Sequence, residues 1–182
     1  MTASSKRSTM SALLVSVFMS AMLTFIFSGC RSAPDSIEEQ IRNEYAKIER
    51  AYASQDFDGL MASRDHDLVV VVPESNGEIE NYERTAQIMR RWFAENKPPI
   101  SVQYEIESMD IGSLDKVVVR VVQKGSRYRG EGSEYRHVTH EVRQRETWIR
   151  GADGWKVRRI DEIDYAHRKV WVNGRPIPLD QQ

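Results

Sequence analysis

Cysteine is almost missing from this chain. Cys30 is the only one in 182 residues, so no intrachain disulfide can form and stability must come from an apolar core. Cysteine-rich metal centres are excluded on the same ground. A dominant charge is missing too. The 26 Lys and Arg residues nearly cancel the 27 Asp and Glu residues, for a formal net charge of −1, which argues against a dedicated nucleic-acid binder. No internal repeat is visible. The glycines of residues 125–132 lack a phosphate-binding pattern, and no cofactor-binding motif stands elsewhere.

What is present begins with one long apolar stretch, residues 11–27 (SALLVSVFMSAMLTFIF), behind Lys6 and Arg7. Phe27-Ser28-Gly29-Cys30 follows. Small residues just before a cysteine are the pattern of a lipoprotein cleavage site, so residues 1–29 are expected to be a signal peptide removed at Cys30. An uncleaved anchor is the competing reading, because the stretch approaches spanning length. Cys30 is expected to carry lipid, with residues 30–35 as a tether. Arg31 in place of Asp favours the outer membrane over the inner, with the domain facing the periplasm.

Ser36 and Glu39 form a capping box. Ile37, Ile41, Tyr45, Ile48 and Tyr52 then recur at helical spacing, which predicts a helix to about residue 54. Asp56 can cap a short second helix. Residues 68–72 read as a buried strand, residues 75–77 as a turn and residues 78–80 as a brief edge strand. A third helix is predicted over 82–95. From residue 102 the pattern alternates with period two, and a second strand is expected over 117–123. Residues 125–134 read as a polar loop. Two long strands, 137–150 and 155–167, enclose the turn Ala152-Asp153-Gly154, and Trp148 and Trp155 are placed as aromatic partners beside it. A small ribbon around Asn173-Gly174 occupies residues 168–182.

Helices first and antiparallel strands afterwards make an α+β domain, with helices on one face of a curved sheet. Two stretches carry a family resemblance: RDHDLVVVVPESNGEIENYERTAQIMRRWF and RETWIRGADGWKVRRIDE. Over residues 36–167 the chain resembles the nuclear-transport-factor-2-like superfamily, which includes SnoaL-like and ketosteroid-isomerase-like domains. The resemblance implies a cone: a strongly curved antiparallel sheet wrapped round the N-terminal helices, with a pocket inside. It also implies possible dimers through the outer sheet face. It does not fix an activity, since the superfamily holds isomerases, hydrolases, dehydratases and non-catalytic modules.

Strand parity selects the pocket candidates. Val138, His140, Val142, Gln144, Glu146 and Trp148 share one face, taken as inward. If Trp155 and Val157 face inward, strict alternation puts Arg159 and Asp161 there too. The turn geometry then pairs Glu146 with Arg159 and Gln144 with Asp161. Asp67 and Tyr104 join the candidates, though the Asp base and Tyr-containing oxyanion site of a related isomerase are not transferred to them. His137 and His140 fall on opposite faces of a strand, which opposes a metal reading. Arg143, Arg145, Arg150, Lys156 and Arg158 make a basic surface suited to cross-strand charge pairs. The expected function is a lipid-anchored envelope protein with a small-ligand pocket, non-enzymatic and without a cofactor; the alternative is an isomerase or hydrolase of the cone fold.

Overall fold

The computed structural model describes residues 35–71, 73, 79–130 and 135–178. Cys30, the apolar stretch before it and the 75–77 turn lie outside these residues. No helix among the described residues is long and apolar enough to cross a membrane.

Helix α1 (Ile37–Ser54) starts where Ser36 Oγ accepts the Glu39 amide at 3.2 Å, so the capping box forms its first half as read. Helix α2 (Phe57–Ala62) is capped by Asp56 and helix α3 (Tyr82–Glu95) by Asn81. Around them lie β1 (Arg64–Val71), β2 (Ile79–Asn81), β3 (Asn96–Ser113), β4 (Lys116–Arg129), β5 (Arg136–Gly151), β6 (Gly154–Ile163), β7 (Lys169–Val172) and β8 (Arg175–Ile177). The sheet order is β2-β1-β6-β5-β4-β3, all antiparallel except the β1–β6 pair. This is the expected α+β cone with a strongly curved sheet.

Gly154 turns the β5–β6 hairpin at φ +98°, and Asn173 and Gly174 turn the β7–β8 ribbon at φ +51° and +77°, conformations that suit glycine and asparagine. The ribbon is part of the sheet, because β7 pairs with the first half of β5, Val138 opposite Val172. The core lies between α1 and the inner sheet face. Ile41, Tyr45 and Ile48 are buried against Val117, Val119 and Trp148. Trp148 and Trp155 do not meet as aromatic partners: Trp148 packs edge-on to Tyr45, and Trp155 Nε1 donates to Gln40 Oε1 at 2.9 Å.

Two expectations fail for one local reason. Strict alternation breaks in β6, where Trp148 opposes Val157 but Thr147 opposes Arg159. Arg158 is the extra residue of a bulge. β1 jumps register at the same level, from Arg64 opposite Val157 to Val69 opposite Arg159. Arg158 turns outward and binds Asp65 at 3.1 Å. Past the bulge, Ile160 and Glu162 occupy the parity assigned to Arg159 and Asp161. The strand β4 is also longer than expected, running through Gly125 to Arg129 rather than ending in a loop.

Candidate functional site

The inner face of the cone holds two polar regions. The deeper one is closed. Glu146 from β5 is 1 % exposed and accepts a hydrogen bond from Tyr45 Oη at 2.9 Å. Tyr45 Oη in turn accepts from Trp148 Nε1 at 3.1 Å, and its ring lies 4.9 Å from that of Tyr104. Gln123 Nε2 donates to Tyr104 Oη at 2.8 Å. Burial raises the Glu146 carboxyl above its ordinary range, and the charge of Arg64 opposes that shift. Burial also pushes the Tyr104 and Tyr45 hydroxyls well up. This region is packed, not hollow.

The second region is a cavity of about 810 Å³ beside it, within the size of small-molecule sites. Gln123 and Arg127 of β4, His140, Val142 and Gln144 of β5, and Glu162 of β6 form one wall. Met89 and Trp92 of α3 form another, and Val170, Val172 and Ile177 of the ribbon continue it. His140 stands there because its cross-strand partner is Gly125. A Cβ on Gly125 would lie 2.6 Å from both ring nitrogens of His140, so the glycine leaves room for the imidazole.

Arg127 Nη1 lies 2.9 Å from His140 Nδ1. A guanidinium only donates, so Nδ1 is the acceptor and Nε2 carries the ring proton. Burial lowers the His140 pKa to about 4, helped by the charges of Arg127 and Arg168. The ring is neutral at physiological pH, with its basic nitrogen occupied. Arg168 Nε pairs with Glu162 Oε1 at 3.4 Å.

The candidates therefore separate. His140 lines the cavity, while Tyr104 and Glu146 belong to the packed region next to it. Arg159 and Asp161 are corrected to the outer face, where Arg159 Nη2 meets Asp161 Oδ1 at 2.7 Å and Arg145 Nη2 meets Asp161 Oδ2 at 3.2 Å. Burial works against the Asp161 charge, but these two arginines hold its pKa below the ordinary value. Glu146 faces Ile160, not Arg159, and Gln144 faces Glu162, not Asp161. Asp67 is corrected as well: its side chain is 81 % exposed in the irregular part of β1, 3.8 Å from Arg158. The basic surface residues Arg143, Arg145 and Arg158 find acidic partners on the outside.

Sequence reasoning missed Arg127, Glu162, Arg168 and Trp92. For Arg127 a signal existed: Val117, Val119 and Val121 face inward, and the same parity reaches Gln123, Gly125 and Arg127. No group of three or more metal-ligating side chains occurs among the described residues.

No curated protein matches the sequence. Among solved structures, a ketosteroid isomerase-like protein from Erwinia carotovora is 17 % identical, with TM-score 0.51, covering 68 % of this chain and 94 % of that one. An NTF-2 like protein of unknown function from Shewanella oneidensis is 13 % identical, with TM-score 0.56, covering 70 % and 98 %. An NTF2-like protein from Cytophaga hutchinsonii is 18 % identical, with TM-score 0.52, covering 70 % and 98 %. At these identities the likeness is one of fold. A sequence family adds to it: residues 41–149, from the first helix to the penultimate long strand of the cone, match the SnoaL-like domain, and the chain belongs to that family.

Proposed function

We propose that the chain is a lipid-anchored envelope protein whose SnoaL-like domain binds a small ligand and does not turn it over. The observation that carries the binding reading is the cavity of about 810 Å³ with both apolar walls and a charged end. The side chains there are poorly placed for proton transfer. His140 has its basic nitrogen taken by Arg127, and Glu162 lies against Arg168, whereas a general base needs a free lone pair within reach of substrate.

The anchor rests on Cys30 and the apolar stretch before it. Several acyl chains on one residue hold a membrane durably, at ~0.8 kcal/mol per buried CH₂. Arg31 favours the outer membrane, with the domain in the periplasm. The second reading, a small-molecule isomerase or hydrolase, draws on the shared fold with the ketosteroid isomerase-like protein. It would require His140 or Glu162 to act as base.

Two measurements test the proposal. Cys30→Ala should accumulate as an unprocessed precursor; a variant processed and membrane-bound like the parent removes the anchor. A ligand screen by melting-temperature shift, followed by turnover assays on each hit, tests the domain. Turnover abolished by Glu162→Gln or His140→Gln would establish the enzyme instead.

A further inference from the structure

We propose that the ligand is an amphipathic carboxylate, its head at Arg127 and His140 and its apolar body along Met89, Trp92, Val138 and Val142. The proposal rests on the binding reading above and narrows it.

The first argument is a census of donors. Arg127 uses Nη1 on His140. Its Nε is buried and has no hydrogen-bond partner, and it forms no ion pair among the described residues. Leaving such a donor unmade is costly, and more so when the group is charged. A carboxylate arriving in the guanidinium plane would supply the acceptors. Because Arg127 fixes the tautomer, the remaining polar hydrogen of His140 is on Nε2, a second donor at the same end of the cavity.

The second argument is charge. Arg127, Arg129, Arg136 and Arg168 all line the cavity, and among the described residues Glu162 is the one acid that does. Arg129 is engaged elsewhere, with Glu95 at 2.9 Å. Burial and the neighbouring Arg129 and Arg168 charges lower the Arg127 pKa, so the arginine stands in a field of its own sign. An anion relieves that repulsion.

The third argument is shape. The Arg127 guanidinium carbon lies over the Trp92 ring, 5.5 Å from its centroid. With Nη1 on His140, the Nε–Nη2 edge of the fork is the side a planar carboxylate can take bidentately. One fork and one imidazole N–H suit a monoanion; a phosphate brings more charge and more acceptors than these donors meet. The valines and Met89 suit an apolar body rather than a sugar.

The test uses the full chain and matched probes. Octanoate, phenylacetate and naphthoate are each compared with the corresponding neutral primary amide by melting shift and titration calorimetry. At least one carboxylate should bind about tenfold or more tighter than its amide, as a charge-assisted bidentate contact implies, and the preference should shrink with added salt. Arg127→Met should erase the preference. Arg127→Lys keeps the charge but loses the fork, so it should weaken carboxylate binding and retain the sign of the preference. Equal binding of acids and amides overturns the carboxylate proposal and leaves the binding reading intact. If none of the acids or amides shifts the protein, both fall.

Discussion

Arg64 and Arg127 are both arginines turned into the cone, and each leaves one nitrogen without a hydrogen-bond partner. Their surroundings differ. Arg64 is 7 % exposed, at the closed end of the core. Burial works against its charge, yet Tyr104, Tyr52 and Glu146 outweigh burial and raise its pKa. Arg127 borders the cavity, and burial, Arg129 and Arg168 all lower its pKa. One guanidinium has its counter-charge inside the protein; the other has other cations for neighbours and empty space beside it. A buried charge is not in itself a functional mark. It becomes one when the compensating charge is missing and there is room for it to arrive.

The largest effect should come from removing the internal counter-charge. Glu146→Ala strands Arg64 and leaves the Tyr45 hydroxyl without its acceptor, a loss expected to cost ~3–5 kcal/mol. Removing both charges, as Arg64→Met with Glu146→Gln, should cost less than Glu146→Ala alone, because no unpaired ion remains. Urea unfolding measures both. A single variant no less stable than the double would mean that Arg64 does not depend on Glu146.

A second effect sharpens the contrast through pH. The folded pKa of His140 is about 4, below its ordinary 6.5, because burial disfavours its charge and the cations Arg127 on β4 and Arg168 before β7 add to the shift; Glu162, the acid on the same cavity wall, lies against Arg168. Between those values the unfolded chain binds more protons. Stability from this group is therefore complete above 6.5 and is lost as pH falls toward 4, by ~3 kcal/mol in all. Glu146 has the opposite sign, since its folded pKa is raised: its share is present at low pH and lost as pH rises through the folded value. His140→Gln should flatten the acid limb of the stability curve relative to the parent. An unchanged limb would show that the imidazole is not held neutral.

The architecture was legible because the signals were local and repeated. Helical spacing from Ile37 to Tyr52 and unbroken alternation from Val138 to Trp148 each point to a single face, and both elements lie as read. The site was half legible. On β6 one bulge inverts every later side chain, so Arg159 and Asp161 fall outside and Glu162 inside. The apolar spacing did carry a mark of this: Trp155, Val157 and Ile160 are two and then three apart, which strict alternation ignores. Asp67 was lost to the matching irregularity in β1. Gly125 misled in another way. It reads as a loop residue, but it lies mid-strand where His140 needs the space a side chain would fill. Arg168 and Trp92 reach the cavity only through tertiary packing, which no local pattern encodes.

The smallest effect is the one that isolates Arg127. If its charge has no compensating acid within the protein, replacing it by Met should not destabilise the fold as Glu146→Ala does. Met keeps an apolar stem of similar length against Trp92, removes an orphaned buried donor and relieves repulsion with Arg129 and Arg168. The losses are the hydrogen bond to His140 Nδ1 and the stacking on Trp92, each worth ~1 kcal/mol. Gains and losses of this size nearly cancel, so Arg127→Met should fall within ~1 kcal/mol of the parent in urea unfolding. The same substitution at Arg64 removes the partner of a buried carboxylate and should be clearly destabilising. If the two substitutions cost the same, Arg127 is a structural residue like Arg64, held by contacts within the fold, and the cavity loses its claim to an anion.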